Sequence, residues 1–114
     1  MNNKSQLEIC EKYSVSFFTS PEEFVVGVSL NVKFGIFPLN GLRHPPEGIS
    51  TGWYIWAGEE FSNSDDFFHP LHVSHLIDWC PDVIKFLGLP PGFRFLFGEN
   101  NYEDVWEDKS LLEV

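Results

Sequence analysis

The amino-acid sequence predicts an α+β fold, a small antiparallel sheet of about four strands packed with two or three short helices. Three observations predict it. Residues 24–34 alternate apolar and polar side chains with period two, the signature of a strand with one buried face. Val73, Leu76, Ile77 and Cys80 recur at helical spacing. Strands and helices do not alternate as repeated βαβ units. The 114 residues fit one domain spanning 1–114. With 43% hydrophobic residues, including 12 Phe, 4 Trp and 3 Tyr, the chain can build a core and is not disordered.

The elements follow in order. Leu7, Ile9, Cys10 and Tyr13 fit a short amphipathic helix over Gln6–Tyr13. Ser20-Pro21 interrupts the chain, and the alternating strand runs from Phe24 through Val26, Val28, Leu30 and Val32 to Phe34. Gly35 and the run Phe37–Gly41 turn the chain into a loop from Gly41 to Gly52, which holds Pro45-Pro46 and Gly48. Aromatic and β-branched residues make Thr51–Ala57 a second strand. Gly58 ends it, and an acidic loop runs through Asp65-Asp66. Pro70 suits the first position of a helix whose inward face is Val73, Leu76, Ile77 and Cys80. Pro81 breaks or restarts that helix, Val83, Ile84 and Leu87 extend its apolar stripe, and Gly88 with Pro90-Pro91 stops it. Phe93, Phe95 and Phe97 mark a third strand, and Tyr102–Trp106 is a short fourth strand or a loop.

Seventeen acidic against seven basic side chains give a net charge of −10. Nearly all of it lies late in the chain: residues 1–58 hold 5 acids and 4 bases, residues 59–114 hold 12 acids and 3 bases. A nucleic-acid binder needs cations to displace counterions from phosphate, and an anionic lipid surface repels such a chain, so neither is an expected partner. A basic protein surface is. Cys10 and Cys80 are too few and too isolated for a disulfide framework or a zinc site and read as small buried hydrophobes. The N-terminus has no apolar signal segment, and no stretch is long and apolar enough to span a membrane, so a cytoplasmic location is expected.

Candidate chemistry is sparse. His69, His72 and His75 are spaced by threes, but the apolar helix face lies opposite them, and a polar face accounts for them better than a metal. Glu59-Glu60, Asp65-Asp66, Glu103-Asp104 and Glu107-Asp108 are adjacent carboxylates, yet neighbours in a strand point to opposite faces and form no automatic dyad. No nucleophile elbow or phosphate-cradling loop occurs. The sequence therefore predicts no catalytic residue, no metal and no cofactor. What stands out is acids interleaved with large aromatics. Trp53 and Trp56 lead into Glu59, Glu60, Asp65 and Asp66, while Tyr102, Glu103, Asp104, Trp106, Glu107 and Asp108 mix the same types. Aromatic anchors ringed by charge suit an interface with a basic protein. A glycan or small-ligand module, with Trp53, Trp56 and Trp106 as stacking surfaces and carboxylates as acceptors, is the alternative.

The run Gly41-Leu42-Arg43-His44-Pro45-Pro46-Glu47-Gly48, followed by Thr51-Gly52-Trp53-Tyr54-Ile55-Trp56-Ala57-Gly58-Glu59-Glu60, resembles the Imm33 immunity-protein family of bacterial polymorphic toxin systems. The resemblance continues through Asp66-Phe67-Phe68, Pro70-Leu71-His72-Val73, Trp79-Cys80-Pro81, the string Leu87 to Leu96 and Tyr102-Glu103-Asp104-Val105-Trp106. It is strongest over residues 26–112. It implies a small cytoplasmic protein that neutralises a cognate toxin domain by binding it, without catalysis. The acidic half then fits a basic toxin surface such as a nuclease cleft, with the carboxylates standing in for phosphates.

Overall fold

In a computed structural model, described over residues 3–59 and 67–113, six strands form one mixed sheet in the order β4-β1-β3-β2-β5-β6. The chain opens with helix α1 (Lys4–Lys12), followed by β1 (Val25–Val28), β2 (Leu39–Arg43) and β3 (Ser50–Ala57). Next come β4 (His69–His72), α2 (Val73–Trp79), β5 (Phe93–Phe97) and β6 (Glu103–Glu107). Short 3-10 segments occupy Leu30–Phe34, Pro81–Phe86, Glu99–Asn101 and Lys109–Leu112. The α+β class stands, but the sheet has six strands where about four were expected, and it is not wholly antiparallel. Strand β3 returns from the β2 hairpin and inserts between β1 and β2, which makes its pairing with β1 parallel.

The departures from expectation have physical causes. Alternation buries Val26, Val28 and Val32, but the strand ends at Val28, where the chain turns and leaves Leu30 and Phe34 exposed. The Asn31 side chain fixes that turn by donating to the Ala57 carbonyl at 2.9 Å. The first part of the expected Gly41–Gly52 loop is instead strand β2, paired on both sides. Gly41 belongs there because the Phe95 ring fills its place: a Cβ would lie 2.1 Å from a ring carbon. Pro70 lies in β4, not at a helix start. It is tolerated because β4 is an edge strand, where an absent N–H breaks no ladder. Helix α2 starts at Val73, and its first amides find the loop before β1, Val73 N–H donating to Phe24 O at 2.9 Å and Ser74 N–H to Glu22 O at 3.1 Å. Of its expected inward face, Val73, Leu76 and Cys80 are buried and Ile77 is exposed. At about 100° per residue, Ile77 sits about 70° from the midline between Val73 and Leu76. In α1 the buried line is Gln6, Ile9 and Cys10, while Leu7 faces solvent.

The helices and the 81–86 turn cover one face of the sheet. There Val26, Val28, Trp53, Ile55, Phe95 and Phe97 meet Val73, Leu76, Val83, Phe86, Leu87 and Leu89. Phe86 stacks on Phe95 with centroids 4.3 Å apart. Both cysteines are buried and unpaired, and burial pushes both thiols up.

One ion lies inside this core. Arg43 has no exposed surface, and its guanidinium donates only to backbone carbonyls. Nε reaches Thr51 O at 2.9 Å, one terminal nitrogen reaches Phe18 O, Leu87 O and Leu89 O at 2.9, 3.1 and 2.8 Å, and the other reaches Thr19 O at 2.9 Å. Desolvation pulls its pKa down to about 10, which still leaves it charged at neutral pH. Arg43→Met takes this donor from Thr51 O, Phe18 O, Thr19 O and Leu89 O and is expected to cost roughly 3–5 kcal/mol in urea denaturation. Arg43→Lys, with at most three donors on a single atom, should recover only part of that loss.

Candidate functional site

Side chains alternate across a sheet, so each core residue has a neighbour facing the other way. Opposite the helices lie Asn40 and Leu42 of β2, Tyr54 and Trp56 of β3, Arg94 and Leu96 of β5, and Asp104 and Trp106 of β6. Among the described residues no helix covers this face. Among the described residues it is sheltered by Leu111, which packs with Leu42 and Trp56, and by Phe67 and Phe68 beside Tyr54. Tyr54 and Phe68 meet edge to face at 5.2 Å, and Trp56 meets Phe68 at 6.2 Å. At the far edge the Arg94 guanidinium lies 5.7 Å from the centroid of Trp106.

The near end of the face opens into a cleft of about 660 Å³. Leu42, Tyr54 and Phe68 give it an apolar wall, and the segment from His44 through Glu47 to Ser50 gives it a polar rim. Two glycines shape that rim. Gly52 has φ +90°, and a Cβ on it would lie 1.9 Å from His44 O, because His44 N–H bonds Gly52 O at 2.9 Å across the ladder. Gly48 has φ +58° in the turn beyond Glu47. His44 Nδ1–H donates to Leu111 O at 3.0 Å, which ties the C-terminal turn to the cleft.

The residues expected at a partner surface divide into distinct groups. Trp53 and Trp56 are not surface anchors. Trp53 is wholly buried with its indole N–H donated to Leu87 O at 3.2 Å, and Trp56 is 5% exposed, so neither offers a platform. Glu103 turns inward: Lys12 and Lys85 each bond it at 2.9 Å and Tyr13 O–H at 2.8 Å, which pins β6 to α1 and the 81–86 turn. Asp108 pairs with Arg94 at 3.2 Å and accepts from Ser110 N–H at 3.1 Å to start the C-terminal turn. Glu59, Tyr102, Asp104, Trp106 and Glu107 are exposed. Glu60, Asp65 and Asp66 lie outside the described residues.

His72 and His75 are exposed with ring centroids 6.0 Å apart. Among the described residues no group of three or more His, Cys, Asp or Glu is placed to hold a metal ion, and no helix is long and apolar enough to cross a membrane. The sequence reading missed Leu42, His44, Glu47, Tyr54 and Phe68 as one constellation. The available signal was the alternation Trp53-Tyr54-Ile55-Trp56, which puts Tyr54 on the face away from Trp53.

Residues 5–108 match the family model of the Imm33-like domain. The chain belongs to the Imm33-like family, in agreement with the strings that resemble it. No curated protein and no solved structure gives a significant match.

Burial alone would raise the Glu103 pKa, but bonds from Lys12, Lys85 and Tyr13 outweigh it and hold the carboxyl at about 2, against an ordinary 4.5. A carboxyl depressed in the folded state stabilises above its unfolded pKa, so this contribution is complete above pH 4.5 and is lost as the pH falls towards about 2. Glu103→Gln should therefore lower stability by roughly 1–3 kcal/mol at pH 7 and flatten the acid limb of a stability–pH curve. For the rim, Gly52→Ala is expected to cost roughly 2–4 kcal/mol in thermal or urea unfolding.

Proposed function

We propose that this protein is an immunity protein that binds a cognate bacterial toxin domain and neutralises it by occupancy, not by catalysis, in the cytoplasm. The observation that carries the reading is the Imm33-like match over residues 5–108. The open sheet face supports it, because half-exposed aromatic rings beside carboxylates suit a desolvated contact with a polar rim. Trp106 is 38% and Tyr102 58% exposed, and Asp104 lies two residues from each. With a chain charge of −10, the complementary partner surface is basic, as in a nuclease cleft.

In this reading Tyr102 and Trp106 are the anchors, while Glu59, Asp104 and Glu107, with Glu60, Asp65 and Asp66, meet the partner's cations. Glu103 and Asp108 hold the strand that presents them. The glycan alternative loses support from burial, since Trp53 and Trp56 cannot stack on a sugar.

The test is co-expression with a toxin domain cloned from the genes that flank this one: protection of growth and a stoichiometric complex are expected, and intact toxicity without a complex overturns the reading. Asp104→Lys with Glu107→Lys should slow association roughly tenfold at low salt, an effect that shrinks in about 0.5 M salt. Trp106→Ala should act mainly on dissociation, by roughly 1–3 kcal/mol. Both sets of constants come from one surface-binding experiment.

A further inference from the structure

We infer that the cleft beside Tyr54 is a socket for an arginine side chain of the protein partner. The inference rests on the immunity reading for its source of arginine, but its chemistry stands on the cleft alone. The cleft presents acceptors and aromatic surface. Glu47 is exposed on the rim, and its carboxylate has no hydrogen-bond or ion-pair partner among the described residues. His44 donates its Nδ1–H to Leu111 O, which fixes the ring on the rim beside Glu47. The wall behind them is Tyr54 and Phe68 over Leu42.

A ligand that satisfies this lining must donate, carry positive charge and tolerate an apolar face. A guanidinium does all three: it has five donors and no acceptor, it is planar enough to lie on an aromatic ring, and its fork matches a carboxylate. Lysine shares the charge but is more strongly hydrated and gains less from the aromatic wall. An anion is repelled by Glu47. The volume of about 660 Å³ falls within the range of ligand clefts and leaves room for the backbone on either side of the arginine. The core fixes the rim, because Arg43, the residue before His44, is anchored in the core and His44 N–H bonds Gly52 O across the ladder at 2.9 Å.

The test needs no toxin. The full chain is titrated with N-acetyl-argininamide at low salt and followed by amide shifts. Ser50, Gly52, Tyr54 and Phe68 are expected to shift together and saturate in the millimolar range, near −4 kcal/mol at about 1 mM. The uncharged isostere N-acetyl-citrullinamide should bind at least about fivefold more weakly. Glu47→Gln, a rim substitution outside the core, should weaken the arginine compound roughly three- to tenfold and leave the citrulline compound unchanged. Equal binding of the two compounds, an effect confined to other amides, or no saturation by about 50 mM overturns the socket. A cognate toxin that binds while argininamide does not sinks the socket and spares the immunity reading; the reverse result sinks that reading and leaves the socket.

Discussion

The guanidinium of Arg43 is the interaction on which the arrangement depends. A buried ion without a carboxylate is ordinarily costly, and here the cost is met by carbonyl dipoles from three places: residues 18–19 in the connection after α1, Thr51 at the start of β3, and the turn at Leu87 and Leu89. Apart from Thr51, which lies in β3, those carbonyls belong to segments outside the regular strands, so the arginine does for the loops what regular structure does elsewhere. Leu87 O also accepts from Trp53 Nε1 and from Ser20 Oγ. The three donors hold the same turn from different elements, and only Arg43 also reaches Thr51, Phe18, Thr19 and Leu89 O, so its loss strands acceptors that the other two cannot reach.

This buried centre has a consequence on the far side of the sheet. Arg43 points into the core, and the chain then runs directly into His44 on the cleft rim. Trp53 fills the core beneath the sheet while Tyr54, one residue on, forms the cleft wall. The strands therefore carry core and site residues in alternation, and any shift of register by one would exchange them. Ordering the β2–β3 hairpin for stability thus orders the site as well.

Legibility followed the kind of physics involved. Local signals survived: α1, β3, β5 and the 81–86 turn lie where periodicity and proline placed them, since their contacts resemble what the pattern assumes. Strand β2 was hidden because its glycine and asparagine read as a turn. Only the tertiary partner reveals that Gly41 makes room for Phe95 and that Asn40 Nδ2 bonds Gly58 O at 2.9 Å. Edge strand β4 was hidden by Pro70, whose helix-start meaning and edge-strand meaning are indistinguishable without knowing the sheet order. The acid–aromatic clustering was legible as composition, yet the division of labour within it was not. Whether Glu103 faces Lys12 and Lys85 or solvent depends on which side of β6 meets the core, and that is a property of the assembled sheet.

The same division bears on how a partner is met. A sheet exposed at both ends invites strand addition, and both ends of this one are blunted. Edge strand β4 carries Pro70, and edge strand β6 carries Glu103, Asp104 and Glu107 along five residues. An incoming strand at β4 would meet a position with no N–H to offer, and one at β6 would lie against a row of carboxylates. What stays accessible is the face, with its cleft at the β2–β3 end and Trp106 at the other. A contact there would be made by side chains, and its specificity would come from shape and charge, not from backbone pairing that any strand could supply. In that arrangement the acids with structural work, Glu103 and Asp108, sit behind or beside Trp106 and not in front of it: they tie β6 to α1, the 81–86 turn and Arg94, so a partner meeting Trp106 would find a ring on a strand already ordered and would not spend contact energy on ordering it.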